Sequence, residues 1–375
     1  MVVVPTGTDR IEHHFNNHLE QGLHHGAQLA VYHNGNLVVD LAGGVMGPDG
    51  PTEQPTTRHL LFSCTKPYAA ACIHHLVDAG ELSYEDPLID HWPEFANPGS
   101  DKASITVEHV LSHQAGIPIA PPDGKPETWD DPDALAAGME KADLSFEPGS
   151  TAAYHALSYG WLVGEIVRKV SGQRIDHYAA EHIFGPLGME RTSIGLDDDE
   201  PDDVATLVGF DPIERCREPE IGLGELSNQD TANRFNQESV HRGIVPAANG
   251  IGPARELAKF YACFANGGSL DGMEILSSKT VERATSLAIE VEKDGTLGVP
   301  RRYALGFALG GSIPDSYGST ANTDTFGHGG LGSSIGWADS QNNLAFAYVT
   351  NGIRDWEHAA RMATMADTVR TSLVD

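Results

Sequence analysis

The sequence predicts a mixed α/β fold, in which strands from both ends of the chain share one domain and helices form most of the middle. Strand-forming segments stand near both termini, and the segments between them have mostly helical spacing of apolar residues. A chain of 375 residues is also long enough to bury a sizeable core. Residues 1–80 and 236–375 are assigned to the α/β domain, and residues 81–235 to a mostly helical domain with an irregular excursion near 198–235.

The first strands form a hairpin and lead into a helix. Two apolar runs, 27–33 and 36–42, are joined by an Asn-Gly step at 34–35, which is a strong hairpin signal. Helix-forming residues then fill 63–79. Gly80 ends this helix, because glycine tolerates the left-handed conformation of a helix terminus.

The remaining elements follow from the same signals. Thr106 is a suitable N-cap for a short helix over 106–113, and proline, aspartate and glycine residues make 118–132 a loop. Apolar spacing predicts helices, and apolar runs predict strands, further along the chain. The helices are 156–171, 174–183, 254–265 and 355–373, and the strands are 303–309 and 344–350.

Composition and charge exclude several function classes. The net charge of −29, from 53 acidic and 24 basic residues, gives a surface that repels nucleic acid and anionic lipid. The sequence contains no run of 18 apolar residues, so no membrane span is predicted. Residues 1–5 lack the basic region of a signal peptide. We therefore expect a cytoplasmic protein without a nucleic-acid or membrane partner, and the sequence does not indicate an oligomeric state.

Cysteine and histidine residues predict neither disulfides nor a metal site. Cys64 and Cys72 share the predicted helix over 63–79, where eight residues separate them by about 12 Å, too far for a disulfide. With Cys216 and Cys263 they are interpreted as four reduced thiols. The 18 histidines include no His-Glu-x-x-His pattern. We predict no metal and no cofactor.

A Ser-x-x-Lys sequence at residues 63–66 stands at the predicted start of a helix. Residues three apart share a helix face, so the hydroxyl of Ser63 and the amine of Lys66 can meet. The positive end of the helix dipole disfavours protonation of Lys66, which helps the amine to act as a base. The free N–H groups at this helix end can also stabilise an oxyanion. The pair is therefore a candidate for nucleophilic catalysis.

Five further segments stand in order along the chain. They are 80-GELSYEDPL-88, 105-ITVEHVLSHQAGIP-118, 146-FEPGSTAAYHALSYGWLVGEIV-167, 184-FGPLGM-189 and 326-FGHGGLGSSIGWAD-339. Together with the Ser-x-x-Lys sequence they resemble the class C β-lactamase-like serine hydrolases, and specifically the family VIII carboxylesterases, from about residue 20 to residue 352. The resemblance implies a β-lactamase/penicillin-binding-protein-like fold, with an antiparallel sheet flanked by helices plus a mostly helical domain.

The resemblance also implies roles for individual residues. Ser63 matches the nucleophile, Lys66 its partner, and Tyr154 the tyrosine of a second motif, so these three residues are the expected catalytic set. The backbone N–H groups of Ser63 and Leu331 match the two oxyanion donors. The expected substrate-binding residues are His328, Gly329 and Gly330, which stand where β-lactamases carry Lys-Thr-Gly, together with His155 and Trp337.

Two departures from the β-lactamase pattern favour esters as substrates. The second motif of that pattern is Tyr-x-Asn, whereas this chain has Ala156 in place of the asparagine and so lacks the amide that contacts a β-lactam. His328 replaces a lysine, and a mostly neutral histidine at pH 7 is a weaker anchor for a carboxylate. Trp337 either lines an acyl pocket or packs in the core, and both alternatives stay open.

The predicted function is hydrolysis of small or short-acyl carboxylic esters through an acyl-enzyme on Ser63, with a small-molecule ester as the partner. Either Lys66 or Tyr154 removes the serine proton, and the two residues would titrate as a coupled pair. Acyl transfer to an alcohol is the next alternative. It is followed by β-lactamase or DD-peptidase activity, and then by a non-catalytic binding protein.

A competing nucleophile motif lies near the C-terminus. Residues 332–336, Gly-Ser-Ser-Ile-Gly, match the Gly-x-Ser-x-Gly elbow of α/β-hydrolases, which requires a helix after the serine. The residues that follow, 337–351, have instead the pattern of a turn and a strand. The segment is therefore interpreted as a glycine-rich turn beside the site rather than as the nucleophile.

Overall fold

The computed structural model describes residues 7–121, 128–210, 227–312, 315–354 and 356–374. In chain order, the strands of these ranges are β1 (Gly26–His33), β2 (Asn36–Gly44), β3 (His59–Leu60), β4 (Ser193–Ile194), β5 (Val208–Gly209), β6 (Gly250–Gly252), β7 (Ser269–Leu270), β8 (Met273–Glu274), β9 (Ile289–Val291), β10 (Arg301–Tyr303), β11 (Ala308–Leu309), β12 (Phe326–Gly330), β13 (Ser334–Asp339), β14 (Leu344–Thr350) and β15 (Gly352–Ile353).

The helices of the same ranges are α1 (Gly7–Glu20), α2 (Lys66–Asp78), α3 (Leu88–His91), α4 (Val107–Leu111), α5 (Pro132–Glu140), α6 (Ser158–Ser171), α7 (Ile175–Ala179), α8 (Asn228–Phe235), α9 (Glu238–Arg242), α10 (Ala254–Ala265), α11 (Ser278–Thr285) and α12 (Trp356–Leu373). Short 3-10 segments occupy Ser63–Thr65, Pro93–Phe95 and Asp101–Ser104. Among the helices of the described residues, none combines the length and the apolar character that crossing a membrane requires.

Strands from both ends of the chain form one eight-stranded sheet, in the order β2-β1-β14-β13-β12-β11-β10-β9. Every neighbouring pair in this sheet is antiparallel. The two ends of the chain meet directly, because β1 pairs with β14 from Ala27 opposite Thr350 to His33 opposite Leu344. The predicted antiparallel sheet is confirmed.

The predicted hairpin is also confirmed. The strands β1 and β2 are joined at Asn34 and Gly35, whose φ values are 51° and 75°. Two successive residues with positive φ form the type I′ turn, whose twist matches that of the paired strands. Asparagine and glycine are the residues that adopt this conformation most readily.

Each face of the sheet carries its own apolar core. On one face, α1 and α12 cover side chains of β13 and β14, including Trp337 and Phe346. On the other face, α10 packs against the sheet, and Tyr261 of this helix lies against Gly336 of β13. This second core continues through α2 into the helices of the middle of the chain, so that α2 lies between the sheet and those helices.

Several predicted elements have the predicted bounds. The helix α10 and the strand β14 cover 254–265 and 344–350. The helix α4 begins after its predicted cap, since the hydroxyl of Thr106 accepts a hydrogen bond from the N–H of His109, but it ends at Leu111, two residues before the predicted end. These elements carry strong local signals, a capping residue or an uninterrupted apolar pattern.

The predicted single strand over 303–309 is wrong. The strand β10 ends at Tyr303 and β11 begins at Ala308, and these two residues pair with each other antiparallel. The chain reverses at Gly306, whose φ is 87°, a conformation that favours glycine. The residues on both sides of Gly306 are buried, so the apolar run continues through the turn and imitates one strand.

The middle of the chain is largely helical. The predicted helix over 174–183 consists of α7 followed by a π-helical turn, Ala180–Phe184. Of the predicted excursion over 198–235, residues 211–226 lie outside the described residues, and α8 forms its end. The division of the chain into two domains stays a prediction.

Candidate active site

Ser63 lies on a strained turn at the entrance to α2. The preceding residue, Phe62, has a φ of 47° and a ψ of −133°, which non-glycine residues rarely adopt. The hydroxyl of Thr65 holds this turn, because it donates to the carbonyl of Phe62 at 2.5 Å and accepts from the N–H of Gly250 at 2.6 Å. The turn is thereby fixed to β6, and Ser63 begins the 3-10 segment that continues into α2.

Lys66 is fully buried although it carries an amine. Its Nζ lies 3.1 Å from Ser63 Oγ, 2.8 Å from the carbonyl oxygen of Ala156 and 3.1 Å from that of Ala247. An ammonium can donate to these three oxygens. A neutral amine can instead donate to the two carbonyls and accept the proton of Ser63 with its lone pair. The geometry accommodates both protonation states of the lysine.

Tyr154 contacts the same oxygen of Ser63. Its hydroxyl donates to Ser63 Oγ at 2.7 Å, and the centroid of its ring lies 4.7 Å from the Nζ of Lys66. Burial raises the pKa of the Tyr154 phenol far above its usual value, and the hydrogen bond to Ser63 offsets only part of this rise. The phenol is therefore a neutral hydrogen-bond donor at pH 7. The structure brings all three predicted catalytic residues together.

Two buried residues that the sequence patterns do not predict hold the backbone around Tyr154. Asp294 accepts the N–H of Tyr154 on its Oδ1 at 3.0 Å, and His113 accepts the N–H of His155 on its Nδ1 at 3.1 Å. The ring of His113 also packs on that of Tyr154, with centroids 4.8 Å apart. His113 stands in the segment 105–118 that carries the family resemblance, which is a signal for its place in the site. Asp294 stands in no such segment.

The end of β12 lies beside the nucleophile turn. A Cβ on Gly330 would lie 2.4 Å from the carbonyl oxygen of Leu61, so only a glycine allows the strand to approach this closely. Gly329 is exposed, and Leu331, which follows the strand, is partly exposed. The backbone of β12 and of Leu331 is thereby brought next to the turn that carries Ser63.

His328 lies in the site without a charge. The centroid of its ring is 5.9 Å from that of Tyr154, and its Nδ1 lies 2.7 Å from the carbonyl oxygen of Gly329. Burial, and to a smaller extent the nearby charge of Lys66, lowers the pKa of His328 to about 3. The imidazole is therefore neutral at pH 7, as the sequence predicts, and provides no cation to anchor a carboxylate.

Two predicted substrate-binding residues do not line the site. His155 is fully buried, and both ring nitrogens hold the chain: Nδ1–H donates to the carbonyl of Ala153 at 2.6 Å, and Nε2 accepts the N–H of Ile117 at 3.0 Å. Trp337 is fully buried in the core under α12. Successive residues of a strand point to opposite faces, and Trp337 pairs with the neighbour of His328, so the two side chains lie on opposite faces. Trp337 packs in the core rather than lining an acyl pocket.

The competing motif does not form a nucleophile elbow. The strand β13, rather than a helix, begins at Ser334. Ser334 is fully buried, and its Oγ donates to the carbonyl of Leu61 at 2.7 Å. The predicted glycine-rich turn beside the site is confirmed. Cys64 is not a second nucleophile either, because burial raises the pKa of its thiol to about 12.

The described residues contain no cluster of three or more histidine, cysteine, aspartate or glutamate side chains that could hold a metal ion. Three cysteines in these ranges are free and buried, namely Cys64, Cys72 and Cys263. Cys216 lies outside the described residues.

Comparison with known proteins identifies the family of this chain. Residues 11–369 match the family described as Beta-lactamase. The Esterase/beta-lactamase LipL of Mycobacterium tuberculosis is 32% identical over 346 residues, which cover 87% of this chain and 77% of LipL. A solved family VIII carboxylesterase is 28% identical with a TM-score of 0.83, and the match covers 98% of this chain and 99% of that structure.

A third relative carries a different name but has the same fold. A penicillin-binding protein homologue from Caulobacter crescentus is 33% identical with a TM-score of 0.81, and the match covers 98% of this chain and 99% of that structure. The family match spans nearly the whole chain, and the convergent serine, lysine and tyrosine lie within it. The chain therefore belongs to the beta-lactamase family, as a serine hydrolase related to the family VIII carboxylesterases.

Proposed function

We propose that this chain is a carboxylesterase that hydrolyses small or short-acyl esters through an acyl-enzyme on Ser63. One observation carries the proposal: the Nζ of Lys66 and the hydroxyl of Tyr154 converge on Ser63 Oγ, at 3.1 and 2.7 Å. A serine hydroxyl is a weak nucleophile until a neighbouring base takes its proton, and this arrangement supplies that base.

In the acylation step, Ser63 Oγ attacks the carbonyl carbon of the ester while its proton passes to Lys66. The backbone N–H groups of Ser63 and Leu331 are the proposed donors to the oxyanion that forms. The bond from the carbonyl carbon to the alkoxy oxygen then breaks, and the leaving alkoxide takes the hydroxyl proton of Tyr154. Lys66 gives the proton that it received from Ser63 to Tyr154 and so restores the phenol. Water repeats the sequence on the acyl-enzyme and releases the carboxylic acid.

The surroundings of Ser63 favour esters over β-lactams. The side chain of Ala156 has no hydrogen-bond donor, and its carbonyl accepts from Lys66. No side-chain amide is therefore available at this position for the acyl amide of a β-lactam. The low pKa of His328 leaves the position of the β-lactamase lysine uncharged, which disfavours a substrate with a carboxylate. The name of the solved family VIII carboxylesterase also supports ester hydrolysis, whereas the name of LipL, Esterase/beta-lactamase, includes both activities.

A series of p-nitrophenyl esters of increasing acyl length, with nitrocefin alongside, tests the proposed substrate class. We expect kcat/KM for the short-acyl esters to exceed that for nitrocefin by at least about 10³-fold, which is about 4 kcal/mol of transition-state stabilisation. Comparable kcat/KM values for nitrocefin and p-nitrophenyl acetate would contradict the proposal. Product analysis in the presence of added alcohols distinguishes hydrolysis from acyl transfer, which stays an alternative.

A further inference from the structure

The carboxylate of Asp294 is fully buried against the backbone of Tyr154. Its Oδ1 accepts the N–H of Tyr154 at 3.0 Å, and its Oδ2 accepts the hydroxyl of Tyr303 at 2.9 Å. On the basis of the proposed function, we propose that Asp294 is a positioning residue: it fixes the backbone of Tyr154 at the place from which the phenol reaches Ser63 Oγ.

Local hydrogen bonds orient the Asp294 carboxylate within the loop between β9 and β10. Its Oδ1 also accepts the N–H groups of Thr296 and Leu297, at 2.8 and 2.7 Å. Its own N–H donates to the carbonyl of Val299 at 2.9 Å. A buried carboxylate needs such donors, because an unsatisfied one is costly to remove from water. The carboxylate is therefore held in one orientation by its own loop, and Tyr154 is attached to it.

The same loop touches the chain just before Tyr154. Gly295 donates its N–H to the carbonyl of Ala152 at 3.1 Å. A Cβ on Gly295 would lie only 2.8 Å from the Cβ of Ala153, so the two backbones are in close contact. A shift of the loop would consequently shift residues 152–154 with it.

His113 holds this segment from the side of α4. Its carbonyl accepts the N–H of Ala153 at 3.1 Å, and its Nδ1 accepts the N–H of His155 at 3.1 Å. The N–H of Tyr154, which lies between these two, donates to Asp294. Three successive backbone donors are thus held by two residues, and loss of the Asp294 carboxylate would release the donor that belongs to the tyrosine.

Small displacements of Tyr154 matter because its hydrogen bond to Ser63 is only 2.7 Å long. A misplacement of about 1 Å in an active site can lower the rate about 10²-fold. Asparagine preserves the shape of aspartate: its Oδ1 can accept the same N–H groups, and its Nδ2 can donate to the oxygen of Tyr303. Alanine removes all of these contacts.

The test compares Asp294→Ala, Asp294→Asn, Tyr154→Phe and the double variant of Asp294→Ala with Tyr154→Phe, all checked by circular dichroism and assayed with p-nitrophenyl acetate. We expect kcat/KM to fall about 10²-fold in Asp294→Ala and to stay within about tenfold of the wild type in Asp294→Asn. The double variant should lose no more than about threefold beyond Tyr154→Phe, because Asp294 acts through the tyrosine.

Asp315→Ala is the matched control. Asp315 also accepts two N–H groups within its own loop, from Gly311 and Tyr317, so its replacement removes a comparable loop contact away from Tyr154. The kcat/KM of this variant should remain near that of the wild type. A loss in Asp315→Ala equal to that in Asp294→Ala would overturn the inference, since any loop aspartate would then have the same effect.

Other outcomes separate this inference from the proposed function. Full activity of Asp294→Ala with impaired Tyr154→Phe would overturn the inference and leave the proposed function intact. Equal losses of kcat/KM in Asp294→Ala and Asp294→Asn would also overturn it. So would a loss in the double variant that equals the product of the losses in Asp294→Ala and Tyr154→Phe. Full activity of both Tyr154→Phe and Ser63→Ala would contradict the proposed function itself.

If Asp294→Ala does not fold, Tyr303→Phe replaces it. This variant removes the hydroxyl that donates to Asp294 Oδ2. We expect kcat/KM to fall about fivefold, and the loss to disappear in the Tyr154→Phe background. A loss that persists in that background would overturn the inference.

Discussion

The hydroxyl of Tyr154 lies 2.7 Å from Ser63 Oγ and is the donor of the hydrogen bond between them. A serine hydroxyl has one proton, so a Ser63 that accepts from Tyr154 can direct its own proton to Lys66, whose Nζ lies 3.1 Å away. Burial raises the pKa of the phenol and keeps Tyr154 a donor at neutral pH. We therefore propose Lys66 as the first proton acceptor, an alternative that the sequence leaves open.

The variant Lys66→Arg tests this assignment, because it keeps a cation but removes a group that can lose its proton near neutrality. We expect kcat to fall at least about 10²-fold, the contribution of general-base catalysis. Tyr154→Phe should lose a similar amount, and the double variant little more than either single one, because residues that act as a unit are not additive. Steady-state rates from pH 6 to 10 measure these losses.

The control for Lys66→Arg is a circular-dichroism spectrum that shows the fold to be intact, since Lys66 is fully buried. Near wild-type activity in a folded Lys66→Arg protein, with an unchanged acid limb of the pH profile, would show that Lys66 supplies charge alone. Tyr154 would then be the proton acceptor.

The substitution Ser334→Ala removes a buried hydroxyl that donates to the carbonyl of Leu61, two residues before Ser63. We expect a loss of about 1 kcal/mol in the free energy of unfolding, because the hydrogen bond to Leu61 and the weaker one from the Cys64 thiol at 3.6 Å are removed, while most esterase activity remains. Ser333→Ala is the matched control. The Ser333 Oγ is buried without a hydrogen-bond partner among the described residues, so its removal should cost less stability. Urea unfolding and p-nitrophenyl acetate hydrolysis measure both effects.

An inactive but folded Ser334→Ala protein would contradict the assignment of Ser334 to the core of the sheet. It would also require the Gly-x-Ser-x-Gly segment to be considered again as the nucleophile.

The strongest sequence signals are those confined to neighbouring residues. The Asn-Gly hairpin, the cap at Thr106 and the apolar pattern of 254–265 each specify an element locally, and the structure contains all three. The spacing of Ser63 and Lys66 likewise predicts their contact, since three residues of a helical segment bring their side chains to one face.

The remaining features depend on contacts between distant parts of the chain. The carbonyl of Ala247 accepts a hydrogen bond from Lys66 across 181 residues. Every residue has a backbone carbonyl, so the residue type at 247 does not indicate this contact. Asp294 is one of 53 acidic residues, and its role depends on a loop that meets Tyr154 across 140 residues. A tryptophan at position 337 is compatible with both the site and the core, and only the register of β13 against β12 decides between the two.

Acidification should destabilise the protein through buried neutral histidines, of which His74 is the clearest. Its Nε2 donates to the carbonyl of Leu305 at 3.0 Å, and its Nδ1 accepts the hydroxyl of Tyr84 at 2.8 Å. Burial lowers the pKa of His74 from 6.5 to about 4. Between pH 4 and pH 6.5 the unfolded chain binds a proton at His74 that the folded chain does not. The stability that the neutral His74 contributes is therefore complete above pH 6.5 and is lost as the pH falls toward 4. The loss for this residue is up to about 3 kcal/mol.

Urea unfolding of the wild type and of His74→Gln at pH 7.5, 6 and 5 measures this effect. The variant should be less stable at pH 7.5 because the imidazole contacts are lost. It should also lose less stability on acidification, by up to about 1.4 kcal/mol per pH unit below pH 6.5. The same pH dependence in both proteins would show that His74 does not contribute to it.

Covalent labelling tests most directly whether Ser63 carries the acyl group. The wild-type protein is treated with a p-nitrophenyl phosphonate, and the modified residue is identified by peptide mass spectrometry, with Ser63→Ala and Ser334→Ala treated in parallel. We expect a single adduct on the peptide that contains Ser63, in both the wild type and Ser334→Ala, and neither adduct nor esterase activity in Ser63→Ala. An adduct on Ser334, or a Ser63→Ala protein that still hydrolyses p-nitrophenyl acetate at the wild-type rate, would contradict the assignment of Ser63 as the nucleophile.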